Sequence, residues 1–204
     1  MFNHKLRKTL SIVVLFCVGL ITLAALTILP GVKFDYKFEK FLPPSDEDLQ
    51  FYWEHVERFE SDNDFLLVGI NNKEGIFKQD FLTKLDSLTK TLENRDYISK
   101  VASPTNINNP VIGPLGVIKS AYIHINQPEL YQKDSLRIYE SPGLNGSLFS
   151  DDAKKVSLFL KIAPSDDRKE NDKRVKDLEQ VIEDFNFNEA HVAGKIKGAY
   201  YFIQ

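Results

Sequence analysis

A single cysteine, Cys17, in 204 residues leaves no disulfide framework within the chain and no cysteine-built metal centre. Histidine is scarce as well. His4, His55, His124 and His191 lie far apart and share no metal-ligand spacing. There is no G-x-S-x-G nucleophile elbow, and the stretch GIFKQDF lacks the pattern of a phosphate-binding loop. Basic charge is not in excess. The net charge is −3, and Lys5, Arg7 and Lys8 are gathered at the front, so the rest is more acidic than the total. That balance excludes a broad nucleic-acid surface. The acidic groups Asp46-Glu47-Asp48 and Asp62-Asn63-Asp64 lack the alternating oxygens and closing glutamate of a calcium loop, so helix-capping and turn roles account for them. The sequence therefore offers no catalytic, cofactor-binding or metal set, no identifiable substrate-binding residues, and nothing that fixes an oligomeric state.

One long apolar run is present. Residues 10–29, LSIVVLFCVGLITLAALTIL, carry no charge. About twenty residues at about 1.5 Å each span the ~30 Å of a bilayer core. Pro30-Gly31 closes the run. Basic residues precede it, so residues 1–9 are expected in the cytoplasm and everything after Pro30 outside. A cleaved signal peptide has a shorter core and a small-x-small site, and TILPG is a poor one. A lipoprotein signal needs small residues before the cysteine, where this chain has Phe16. Cys17 reads as a small residue of the helix surface. With no ionisable group in the run, this helix by itself offers no proton relay.

Residues 30–60 read as a linker and a helix. Val32, Phe34, Tyr36 and Phe38 alternate with charged residues, the period of an extended segment. Ser45 is a plausible N-cap for a helix over 46–60, with Leu49, Tyr52, Trp53, Val56 and Phe59 on one face. Tyr52 and Trp53 could form a ligand surface, but aromatics at helical spacing more often enter a core, so Trp53 is expected to pack on the sheet that begins at Phe65.

The domain itself is expected over 61–194. A turn at 61–63 precedes a buried strand over 65–70. Phe77, Phe81, Leu85, Leu88 and Leu92 predict an amphipathic helix over 78–93, and a strand follows over 98–102. Residues 103–152 are rich in proline and glycine and too long for a bare loop. They read as an insertion with short helices over 115–123 and 128–138, the most mobile part and a contact for a partner. The NGS at Asn145 is a turn unless a glycosylating host uses it. A strand over 155–163, a charged lead into a helix with Val175, Leu178, Val181, Ile182 and Phe185 inward, and a strand over 191–193 complete the order. The fold class is α+β: one N-terminal transmembrane helix, then a ferredoxin-like βαβ–βαβ domain with an insertion.

One stretch is more specific, FDYKFEKFLPPSDEDLQFYWEHVERFESDNDFLLVGI. An apolar span, an extended D-x-x-x-E-x-F-x-P, a D-x-D-L helix and N-D-F-L-L-V-G-I resemble the start of a resistance–nodulation–division (RND) transporter of the MMPL/Patched-like branch. SPGLNGSLFSDDAKKVSLFLKI is similar to that branch's P-L-x-x-x-x-L-I-S-x-D-G-K segment, with Ala153 where the pattern has glycine. HVAGKIKGAYYFIQ resembles the H-x-A-G-x-x-x-x-x-x-Y lead into the second membrane helix. The resemblance implies a porter domain over 61–194 and, in 195–204, the approach to a second span. It also implies proton-carrying carboxylates in a later span, a second porter domain and remaining spans as partners, and hydrophobic or lipid cargo. The expected location is the cell (inner) membrane, with the main domain periplasmic or extracellular. The alternatives are a self-contained, membrane-anchored extracytoplasmic binding or accessory module of an export complex, and an anchored enzyme, which the missing catalytic set disfavours.

Overall fold

The apolar run forms the first helix, α1 (His4–Ile28). The computed structural model describes residues 4–29, 42–59, 65–113, 116–163, 165 and 167–202. The expected extended segment at 32–38 and the turn at 61–63 lie outside them. The chain divides into two compact units, Met1–Phe59 and Glu60–Gln204.

In the first unit, the helix expected over 46–60 is α2 (Glu47–Phe59). Its start corrects the sequence reading. Asp46, not Ser45, supplies the cap, its carboxylate accepting from the backbone N–H of Asp48 at 3.0 Å and of Leu49 at 3.1 Å. An ionised oxygen next to the free N–H groups outcompetes a hydroxyl one residue earlier. Trp53 is a second correction. It is 51 % exposed rather than buried, and its ring meets that of Tyr52 edge-on with centroids 5.3 Å apart. Only Leu49 of α2 is buried.

The second unit is a four-stranded antiparallel sheet with two long helices. β1 (Phe65–Asn71) leads to α3 (Gln79–Glu93) and β2 (Ile98–Ala102). The later half runs β5 (Lys155–Ile162), α5 (Arg168–Asp184), β6 (Glu189–Gly194). Across the sheet the order is β2-β5-β1-β6. Each strand of one half therefore lies beside a strand of the other, and β1 pairs with both β5 and β6. The alternation read from sequence explains which face is buried. Leu66, Val68 and Ile70 stand opposite Leu160, Leu158 and Val156 and are all buried. They form one apolar cluster with Leu82, Leu85, Leu88 and Leu92 of α3 and Leu178, Val181 and Ile182 of α5. In β2, Ile98 and Val101 are both buried although three positions apart. The register slips between Ile98 and Lys100, and this bulge turns both inward.

The charged stretch before α5 is not a lead-in: it is the helix itself, capped by Asp167, whose carboxylate accepts from the N–H of Lys169 at 2.9 Å. The last strand is longer than the 191–193 expected, because Glu189 and Ala190 pair with Asn71 and Ile70.

The insertion holds the largest correction. Where the sequence predicts a helix over 115–123, residues 116–121 form a strand. β3 (Asn108–Gly113) and β4 (Gly116–Ala121) form a separate antiparallel hairpin, with Gly113 paired to Gly116. Two glycines flanking Pro114, and β-branched pairs on either side, favour chain reversal and strand over helix. The second helical piece is present, a 3₁₀ turn (Pro128–Leu130) running into α4 (Tyr131–Glu140). The chain beyond β6 turns at once into α6 (Lys195–Phe202).

Candidate functional site

α1 carries the long apolar run. Arg7–Ile28 is long and apolar enough to cross a membrane, and none of it is buried. Three of its hydroxyls are satisfied within the helix: Ser11 donates to the Arg7 carbonyl (2.9 Å), Thr22 to Val18 (2.9 Å) and Thr27 to Ala24 (2.7 Å). A side chain that returns its donor to the preceding turn presents no unmet polar group to hydrocarbon. Cys17 is exposed on this helix.

Three gatherings of polar side chains within the domain bear on a site. The first is centred on Asp134 of α4, which is 1 % exposed. Its carboxylate accepts from the His124 backbone N–H at 2.8 Å, faces His124 Nδ1 at 2.9 Å, and accepts from the Arg137 guanidinium at 3.0 Å. Arg137 also donates to the carbonyls of Ala121 (2.9 Å) and Tyr122 (2.7 Å), which ties the end of β4 to α4. The buried carboxylate, bonded to the His124 backbone and to Arg137, ties the insertion together.

The second gathering joins Tyr97, Asp177, Arg95 and Arg174. The Tyr97 hydroxyl donates to Asp177 at 2.7 Å, Arg95 lies 3.4 Å from the same carboxylate, and the Arg174 guanidinium sits 5.9 Å from the Tyr97 ring. Burial first, and then the bond to Asp177, push the Tyr97 hydroxyl well above the usual tyrosine range. It stays a neutral donor, and the group clamps the start of β2 to α5. In the third, the hydroxyls of Thr89, Ser103 and Thr105 bond one another at 2.7–3.1 Å, and Asn106 holds the turn by accepting from the Ser103 N–H at 2.8 Å.

The histidines of the second unit each meet a different carboxylate. His55 stacks near Phe59 (4.9 Å), His124 joins Asp134, and His191 lies 3.1 Å from Glu189. Among the described residues no group of three or more His, Cys, Asp or Glu could hold a metal ion. Asp46 of the first acidic group caps α2, while the second acidic group falls outside the described residues. A shallow depression of about 500 Å³ lies between the β1–α3 turn and the α5–β6 turn and includes Asn71, Lys78, Lys84 and Phe187. Sequence reasoning missed Asp134. Its signal was present, a carboxylate inside the stripe Tyr131, Asp134, Ile138, where a helix turned inward would carry an apolar residue.

No protein-family model matches the chain, and no curated protein matches it. The fold is thus known from the chain itself: mixed α and β, one N-terminal apolar helix, and an antiparallel sheet.

Proposed function

We propose that this chain is the membrane anchor and first porter domain of an RND-type, proton-driven exporter of lipids or other hydrophobic molecules, of the MMPL/Patched-like branch. The observation that carries the reading is the strand order β6-β1-β5-β2 behind a single apolar helix. Two βαβ units, each receiving a strand of the other between its own two, is the pairing of a ferredoxin-like domain. The turn before β5 adds support. The family pattern has glycine where this chain has Ala153, and Ala153 adopts φ 52°, the left-handed region that favours glycine.

On this reading α1 anchors and does not conduct. No acidic or basic side chain lies between Thr9 and Ile28, so proton flow would run through carboxylates of another span. Lys5, Arg7 and Lys8, at the start of α1, support an orientation with residues 1–9 in the cytoplasm and the domain on the far side of the membrane. A second reading, a self-contained anchored binding or accessory module, is favoured by the exposed aromatics of α2, Phe51 (71 %), Trp53 (51 %) and Phe59 (69 %).

One experiment separates the two. Reading the gene beyond the Gln204 codon is expected to reveal further apolar spans, one with an intramembrane carboxylate whose neutralisation abolishes export. A stop codon at that point, with the short protein accumulating stably, overturns the exporter reading and leaves the binding module.

A further inference from the structure

The four-stranded sheet has two faces, and the pairing register fixes what stands on each. Residues directly opposite across a ladder point the same way, and neighbours along a strand point opposite ways. Leu66, Val68 and Ile70 turn to the apolar cluster. Phe65, Leu67, Gly69 and Asn71 therefore belong to the outer face. Ala102 pairs with Phe159, Phe159 with Leu67, and Leu67 with Ala193, so one apolar row crosses all four strands. On one side of it, Lys100 pairs with Lys161, and Lys161 with Phe65. Further along on the other side, Lys155 pairs with Asn71, and Asn71 with Glu189. Lys100, Lys155 and Ala193 are exposed, Phe65 is 37 % exposed, and Leu67 and Phe159 are half-buried.

The charge of this face runs against that of the chain. The chain carries −3, yet the register sets three lysines on the face against one carboxylate, Glu189. That carboxylate is engaged locally, by Asn71 at 2.8 Å and His191 at 3.1 Å. Lys100 and Lys161 stand directly opposite one another, a like-charge pairing that costs stability and that an anion relieves. A second copy laid face to face would set lysines against lysines. The complementary occupant is anionic with an apolar interior, which is the chemistry of a phospholipid surface. α1, long and apolar enough to cross a membrane, ties the domain beside such a surface and raises its local concentration.

We propose that the outer face of the sheet docks on the anionic headgroups of the bilayer that α1 enters. Lys100, Lys155 and Lys161 meet lipid phosphates, and the row through Phe159 and Leu67 lies against the headgroup–acyl boundary. This rests on α1 being embedded in a membrane and not on the exporter reading.

The test uses the full chain with Cys17→Ser in lipid nanodiscs, and a polarity-sensitive fluorophore on Ala193→Cys, at the end of the apolar row. A second sample carries the fluorophore on Glu183→Cys, an exposed position of α5. Discs of phosphatidylcholine are compared with discs that also contain phosphatidylglycerol. The probe at 193 should shift to the blue only with phosphatidylglycerol, and added salt should reverse the shift. The probe at 183 should not respond. Lys100→Gln with Lys155→Gln should lower the docked-to-free ratio about 25-fold, about fivefold for each lysine. Both lysines are exposed, and the comparison of lipids needs no lysine variant at all. Equal spectra in the two kinds of disc would overturn the docking. So would equal shifts at 193 and 183, or a shift indifferent to the loss of both lysines. A shift that inorganic polyphosphate evokes in phosphatidylcholine discs, and phosphatidylglycerol does not, would assign the face to a soluble polyanion and overturn lipid docking as well. Failure of the chain to enter discs is read separately, by co-elution, and would sink the membrane role of α1 together with this proposal.

Discussion

Along β1 and β5 the inward side chains are all aliphatic: Leu66, Val68 and Ile70 on one strand, Val156, Leu158, Leu160 and Ile162 on the other. Along α4, in the insertion, the inward stripe is Tyr131, Asp134 and Ile138. The sheet layer is held by area removed from water, which is large, non-directional and tolerant of small shifts. The insertion is seated by particular atoms. Arg137 and Asp134 grip the end of the hairpin, the Tyr131 hydroxyl donates to the Ile125 carbonyl at 2.5 Å, and the Tyr139 hydroxyl donates to the Ser150 carbonyl at 2.8 Å. Apolar contacts still matter there, since Ile123, Ile138, Leu148 and Phe149 are buried, but the polar bonds decide the register. The difference teaches that two regions of one compact unit can rest on different physics, and so should fail in different ways.

The largest expected effect tests the layer. Leu158 is fully buried in the middle of β5, opposite Val68. Leu158→Ala should cost about 4 kcal/mol, the lost transfer free energy plus the cavity left between sheet and helices. Denaturant unfolding followed by far-ultraviolet circular dichroism reads it. A loss near ~1 kcal/mol would mean that the layer collapses around the gap and is less tightly packed than its burial indicates.

The second test aims at the insertion. Asp134→Ala leaves Arg137 without its buried partner and should cost about 3 kcal/mol, as broken buried pairs do. The loss should be local. Hydrogen-exchange protection in α4 and the hairpin should fall while β1 and β5 keep theirs. Asp134→Asn, which retains an acceptor for the His124 N–H, should lose markedly less. Collapse of protection in β1 and β5 with either variant would erase the comparison and make insertion and layer a single cooperative unit.

The same contrast explains what could be read in advance. The order β1–α3–β2 and β5–α5–β6 was legible because aliphatic residues repeat with period two on strands and at helical spacing on α3 and α5. The bulge in β2 was not, since Ile98 and Val101 break that period and only the slip in pairing reconciles them. The hairpin at β3–β4 was misread as helix because a short apolar run fits either period, and the glycines on either side of Pro114 carried the deciding signal. The position of Trp53 was misjudged for a different reason. An amphipathic pattern says that a face is apolar, not what covers it. As for sites, the cluster around Asp177 joins residues distant in the chain, Tyr97 and Asp177 above all, and no spacing rule announces it. The group at Glu179 is of the same kind, its carboxylate pairing with Lys197 and accepting from the Tyr201 hydroxyl.

The smallest predicted effect sits at the seam between the two regions. Ala153 lies just before β5, and its carbonyl accepts from the Ile76 N–H at 2.9 Å, so the β1–α3 turn and the end of the insertion meet there. Its φ of 52° puts an L-residue in a left-handed conformation, which costs about 1–2 kcal/mol. Glycine would remove that cost and return about 0.5–1 kcal/mol of it through its greater freedom in the unfolded chain. Ala153→Gly should therefore stabilise the protein by about 0.5 kcal/mol, visible as a small upward shift of the unfolding midpoint with an unchanged denaturant slope. A loss of stability instead would show that the Ala153 methyl, which packs against the apolar cluster, outweighs its backbone strain. In that case the turn is built around alanine, and the parallel with a family that has glycine at this position loses its physical footing.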